Sequence, residues 1–142
     1  MKKLIEEKEF TLEGYKPIVD YEKWRVAILN YIDELEIENI EKFDRHDETD
    51  EVFVLLKGKC ILFLGDGDEK IGNISAKDME PRKIYNIKKG VWHTHTLSKD
   101  AMVLIVENKN TCDENSPFVK MAKKDKEKLN QLKETLWKES DK

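Results

Sequence analysis

The sequence has no apolar run long enough to cross a bilayer. Its longest runs, VFVLL at Val52–Leu56 and CILFL at Cys60–Leu64, fall far short of the ~20 residues that a membrane helix needs. The opening MKKLIEEKEF is basic but lacks the apolar stretch of a signal peptide. Cysteine is scarce: Cys60 and Cys112 cannot build a disulfide framework, and no C-x-x-C pair suggests a zinc ribbon. Cys60 opens a strand-like run and reads as a small buried hydrophobe. Serine is scarce too, and none of Ser75, Ser98, Ser116 and Ser140 sits in a nucleophile-elbow context. Positive charge is not in excess. The formal net charge is −4, which argues against a nucleic-acid partner or an anionic membrane surface. The lysines near the C-terminus alternate with acidic residues, the pattern of a solvated helix face. A cytoplasmic protein is the default expectation.

What remains is the composition of a folded globular chain: 142 residues, 39% hydrophobic and 39% charged, enough for one ordinary domain with its own core. Residues Phe10 to Asp20 read as a leading strand or arm, and Trp24 to Ile32 as a strand with apolar residues on both faces. The acidic stretch Asp33–Asn39 reads as a loop or edge. Val52–Leu56 and Cys60–Leu64, joined by Lys57-Gly58-Lys59, read as a hairpin. Gly65-Asp66-Gly67-Asp68 is a turn; its lone G-x-G lacks the helix and the lysine of a phosphate loop. Further strands are expected near Arg82–Ile87, Val91–Leu97 and Ala101–Glu107, with a tight turn at Lys88-Lys89-Gly90. This even spacing of strands and turns is the signature of an all-β barrel or sandwich. At the end, Ser116-Pro117 resembles an N-cap with proline at the first helical position. Phe118, Ala122, Leu129, Leu132 and Leu136 then recur at helical spacing, so one amphipathic helix is expected over 117–138. Its apolar stripe, extended by Trp137, suits a barrel face or a contact in a homodimer.

The chain's three histidines lie in two short segments. Asp44 and His46 are two residues apart and share one face of an extended segment. If Asp47–Asp50 turns, Glu51 opens the returning strand and can face the same interior. In Gly90-Val91-Trp92-His93-Thr94-His95, His93 and His95 again share a face. Imidazoles and carboxylates converging from neighbouring strands form the ligand set of a first-row divalent metal.

These two segments resemble the paired motifs of the cupin superfamily. His46, Glu51 and Gly58 fall on the second histidine, the glutamate and the glycine of the first motif, H-x-H-(x)3–4-E-(x)6-G. Gly90 and His93 fall on the second motif, P-x-G-x-x-H. The resemblance covers about 24–110 and is closest to small single-domain cupins described as mannose-6-phosphate isomerase-like. It implies an all-β fold, a double-stranded β-helix or jelly-roll barrel with a C-terminal α-helix, built as one domain over 1–142. It also implies a divalent metal ion (Mn, Fe or Zn) held by His46, Glu51 and His93. Three positions depart from the pattern: Asp44 replaces the first motif histidine, Lys88 the proline, and Leu97 an asparagine. Asp44 either serves as a fourth ligand, favouring a harder ion, or accepts a hydrogen bond from His46 or Arg25. His95, Arg25, Phe53 and Trp92 are candidate pocket residues, and Glu48 is expected in solvent. The function classes left open are an enzyme acting on a small polar molecule, a non-catalytic binding module, and a scaffold with a vestigial site.

Overall fold

The computed structural model describes residues 4–138. Among the described residues ten strands form two antiparallel five-stranded sheets that face each other as a jelly roll. The first sheet contains β1 (Gly14–Tyr21), β2 (Trp24–Asn30), β4 (Glu51–Lys57), β7 (Ile84–Ile87) and β9 (Met102–Asn108), in the order β1-β2-β9-β4-β7. The second contains β3 (Lys42–Asp44), β5 (Cys60–Gly65), β6 (Ile74–Asp78), β8 (Trp92–Leu97) and β10 (Phe118–Lys120), in the order β10-β3-β8-β5-β6. Period-two alternation decides which side chains enter the space between the sheets. From the first sheet these include Ala27, Leu29, Phe53, Leu55, Val103 and Ile105, and from the second Cys60, Leu62 and Leu97.

The runs Val52–Leu56 and Cys60–Leu64 are strands, but they do not form the expected hairpin. β4 pairs with β7 and β9, whereas β5 pairs with β6 and β8. The chain crosses from one sheet to the other at Gly58, which has φ 72°. A Cβ there would lie 2.6 Å from the Ala101 Cα, so glycine is required by both the backbone angle and the close approach.

The C-terminal helix is also shorter than expected. Residues Phe118–Lys120 form β10 against β3, and α1 spans Lys123–Leu136. The cap is not Ser116: the Asp125 carboxylate accepts the Ala122 backbone N–H at 2.9 Å, offsetting one of the orphan donors at the helix start. The stripe that suggested a dimer contact is used within the chain. Leu129 is 1% exposed, and with Leu132, Leu136 and Trp137 it packs on the outer face of the second sheet, over Phe43, Ile61, Phe63 and Trp92. The Trp137 indole N–H donates to Asp78 Oδ1 at 2.9 Å. Fully burying Leu129 stabilises by about 1.5–3 kcal/mol, and the half-buried Leu132 and Leu136 add to it, which fixes the helix to that face.

The acidic stretch after β2 is a pair of 3-10 turns, Asp33–Leu35 and Ile37–Asn39. Thr96 Oγ1 donates to the Leu35 carbonyl at 2.7 Å, tying this loop to β8 at the mouth of the interior. Among the described residues no helix is long and apolar enough to cross a membrane.

Candidate metal centre

His46, Glu51 and His93 converge from three separate segments. His46 follows β3, and its carbonyl accepts the Gly90 N–H at 2.8 Å, which ties it to the turn before β8. Glu51 opens β4 after the loop 45–50. That loop is held by Asp50, whose carboxylate accepts from Lys88 Nζ at 2.5 Å, the Lys89 N–H at 2.8 Å and Asn86 Nδ2 at 3.1 Å. These donors hold the Asp50 pKa down to about 2. His93 lies on β8, directly opposite Asp44 of β3. Glu51 and His93 are buried and His46 is half-buried.

Both imidazoles aim Nε2 at one atom. Glu51 Oε1 lies 3.2 Å from His46 Nε2 and 3.1 Å from His93 Nε2, and the ring centroids are 5.1 Å apart. The tautomers follow from the opposite ring nitrogens. His93 Nδ1 faces the Val91 carbonyl at 3.0 Å, an acceptor only, so Nδ1 carries the proton and Nε2 presents a lone pair. His46 Nδ1 lies 2.7 Å from Ser116 Oγ. Asn115 Oδ1 lies 3.4 Å from that hydroxyl and offers an acceptor for its hydrogen when Ser116 accepts from Nδ1. With both rings neutral, three lone pairs meet at one point; in the metal-free chain Glu51 favours a proton on His46, which a bound ion would displace. Glu51 Oε1 is buried without a hydrogen-bond partner, a costly state unless a cation fills it. The spacing fits a metal ion. Two ligand atoms each about 2.0–2.2 Å from one ion lie roughly 2.8–3.6 Å apart at angles between square and tetrahedral.

The local electrostatics agree. Burial alone would lower the His46 pKa, but the Glu51 carboxylate outweighs it and holds the imidazole above its ordinary value. Burial would raise Glu51, but His46 and His93 hold it well below the usual carboxylate range. His95 is pushed down to about 4, first by burial and then by the neighbouring His93.

A second group supports the cluster from β2 and β9. Arg25 and Glu107 are direct cross-strand partners. Glu107 Oε1 accepts from Arg25 Nη2 at 2.9 Å, Arg25 Nε at 3.2 Å and the Tyr15 hydroxyl at 2.5 Å. Glu107 also contacts Glu51, and burial followed by that contact raises its pKa despite Arg25 and Tyr15. Burial and Glu107 push the Tyr15 hydroxyl above its ordinary value, keeping it a donor.

Two cavities flank the centre. One, of about 330 Å3, holds Phe53, His95, Leu29, Ile32, Leu35 and Ile105 around the three candidate ligands. The other, of about 280 Å3, is polar and holds Arg25, Tyr15, Lys42, Glu107 and Ser116 beside His46 and Glu51. His95 and Phe53 thus line the first cavity, their rings 5.7 Å apart, and Arg25 lines the second. Asp44 borders both, but its carboxylate, 41% exposed and 3.8 Å from Lys42 Nζ, stands outside the group of three. Trp92 is not a pocket residue. Its parity places it on the opposite face of β8, under α1, where its indole N–H donates to the Asp68 carbonyl and Arg45 stacks 4.5 Å from the ring centroid. Glu48 is exposed, and burial pushes the Cys60 thiol up, leaving it unreactive.

Sequence reasoning passed over Glu107, Tyr15 and Ser116. Glu107 had a usable signal, since it continues the inward parity of Val103 and Ile105 just as Arg25 continues that of Ala27 and Leu29. Opposite charges at inward positions of two strands point to a buried pair. Ser116 had none, because its segment is held by tertiary contacts.

No family model and no curated protein matches the sequence; the likeness is one of structure. The nucleoside dehydratase Pac13 superposes with a TM-score of 0.56 at 7% identity, over 82% of this chain and 87% of its own. The TDP-fucose-3,4-ketoisomerase WlaRA of Campylobacter jejuni gives 0.51 at 16%, over 75% and 87%. A cupin-2 domain containing protein of Shewanella frigidimarina gives 0.50 at 16%, over 70% and 85%.

Proposed function

The fold is that of the cupins, and from it we propose that this chain binds one divalent metal ion through His46, Glu51 and His93. The ion would serve to hold and act on a small polar molecule in the adjoining cavity. The observation that carries this reading is the convergence of three lone-pair donors on one buried point where Glu51 Oε1 has no donor of its own. When bound, the ion supplies Lewis acidity to a ligand oxygen. The protein's residues do the rest. Ser116 and the Val91 carbonyl fix the two histidine tautomers, an outer-shell role that orients imidazole ligands. The Arg25–Tyr15 pair holds Glu107 and, through it, Glu51. His95, neutral at pH 7 by its depressed pKa, presents a proton acceptor to the cavity. Structural neighbours that dehydrate a nucleoside or isomerise a nucleotide sugar share this fold, so the fold leaves the reaction open.

Isothermal titration of the metal-free protein with Zn²⁺, Mn²⁺ and Fe²⁺ tests the reading. It predicts one ion per chain and proton release on binding, seen as a dependence of the heat on the buffer's ionisation enthalpy. No saturable binding of any of the three ions would refute it.

A further inference from the structure

We propose that the ligand of this centre is a compact molecule whose body, beyond the oxygens at the metal end, is uncharged and apolar, and that the site rejects ligands whose body carries a phosphate. The inference rests on the metal reading for where the ligand's oxygen sits, but the class of ligand follows from the walls. Away from the three candidate ligands, the larger cavity is closed by Leu29, Ile32, Leu35, Phe53 and Ile105. Among the described residues no lysine or arginine lines it; its charged side chains besides the histidines are the carboxylates Glu34, Asp44 and Glu51.

The polar cavity on the other side does contain cations, but both are engaged. Arg25 spends its guanidinium on Glu107 and on the carbonyls of Lys109 and Thr111, each at 3.0 Å. Lys42 Nζ sits 3.8 Å from Asp44 and 4.8 Å from the centre of the Phe118 ring. Glu34, Asp44, Glu51 and Glu107 therefore outnumber the cations of both cavities by two, and a divalent ion would only balance them. No surplus positive charge is left for a phosphate, which natural sites bind with arginine, lysine or a helix N-terminus. Size narrows the class further. The cavity of about 330 Å3 stands at the small end of ligand pockets, so a compact body fits, with its oxygens toward the metal end.

Two hydroxamates that share one metal-binding head separate the possibilities. Benzohydroxamic acid carries a phenyl body; phosphoglycolohydroxamic acid carries a phosphate. With Zn²⁺-loaded protein in a calorimeter, the benzohydroxamate should bind at least about tenfold tighter, a factor of ten in Kd being about 1.4 kcal/mol. Ile32→Lys, which adds a cation to the wall, should close that gap. Equal or tighter binding of the phosphate compound to the wild-type protein would overturn the proposal. Failure to load metal would refute the metal reading alone. The class would then be tested on the metal-free protein with cyclohexanol and glycerol 3-phosphate, observed by NMR. Shifts confined to Leu35, Phe53 and Ile105 with cyclohexanol support the proposal. Shifts there with glycerol 3-phosphate, or with neither compound, overturn it.

Discussion

Replacing Arg25 by methionine should destabilise the metal-free protein by several kcal/mol, and replacing Glu107 as well should restore most of the loss. Arg25 and Glu107 face each other across β2 and β9, with side chains only 16% and 3% exposed. Removing the guanidinium leaves a buried carboxylate without its cation and against a second one, Glu51. Breaking a buried pair from one side costs about 3–5 kcal/mol. For a chain of this size that corresponds to a fall in Tm of roughly 10 °C, at about 2–4 °C per kcal/mol. In Arg25→Met/Glu107→Leu no uncompensated charge remains, and apolar replacements of a buried pair are often neutral. The residual cost is that of the Lys109 and Thr111 carbonyls and the Tyr15 hydroxyl losing partners. Tyr15 is 42% exposed and can turn to water, so about 1–2 kcal/mol is expected from the carbonyls. Urea denaturation of all four forms in chelator at pH 7, followed by far-ultraviolet circular dichroism, closes the cycle. A single-variant loss below about 1 kcal/mol, or a double variant equal to the sum of the singles, would refute the reasoning.

Three further outcomes follow from the same contacts. Leu129→Ala should cost about 2–5 kcal/mol in the same assay, because this 1%-exposed side chain anchors α1 and leaves a cavity; a loss under 1 kcal/mol would mean that the helix is not held there. Ser116→Ala, which frees His46 Nδ1, should weaken Zn²⁺ binding about 10–100-fold while shifting the urea midpoint little, and unchanged affinity would deny Ser116 an orienting role. In metal-free protein His95 should contribute a loss of stability as pH falls from about 6.5 toward about 4, opposed over part of that range by Glu107, whose raised pKa acts the other way. Over that range the unfolded chain takes up a proton at His95 that the folded chain, with its pKa near 4, does not. His95→Phe should flatten this slope, and an identical slope in the variant would contradict the assignment.

The parts of this fold that were legible in the sequence are those governed by local pattern. The strands at Trp24, Val52, Cys60, Trp92 and Met102 announce themselves by short apolar or β-branched runs between turn signals. A shared face for Asp44, His46 and Glu51 follows from spacing around one turn, and the grouping with His93 comes from the resemblance to the paired cupin motifs. What the sequence did not convey depends on which sheet a strand joins. Val52–Leu56 and Cys60–Leu64 look like a hairpin because Gly58 looks like a hairpin turn; only the packing of Ala101 against it makes it a corner between sheets. Phe118–Lys120 has only three paired residues, too few for a pattern, and its proline and helical-looking neighbours drew it into the helix. Trp92, expected as a pocket or core residue, lies in the core under α1, because adjacency to His93 in a strand means the opposite face.

The most direct test of the central claim is metal content in protein purified without a histidine tag, measured by mass spectrometry of the elements. The wild-type chain should carry one equivalent of a divalent first-row metal after reconstitution, as should Glu48→Ala. His46→Ala and His93→Ala should each carry far less than one. A wild-type chain that stays empty, or a His46→Ala/His93→Ala double variant that remains fully loaded, would contradict the account.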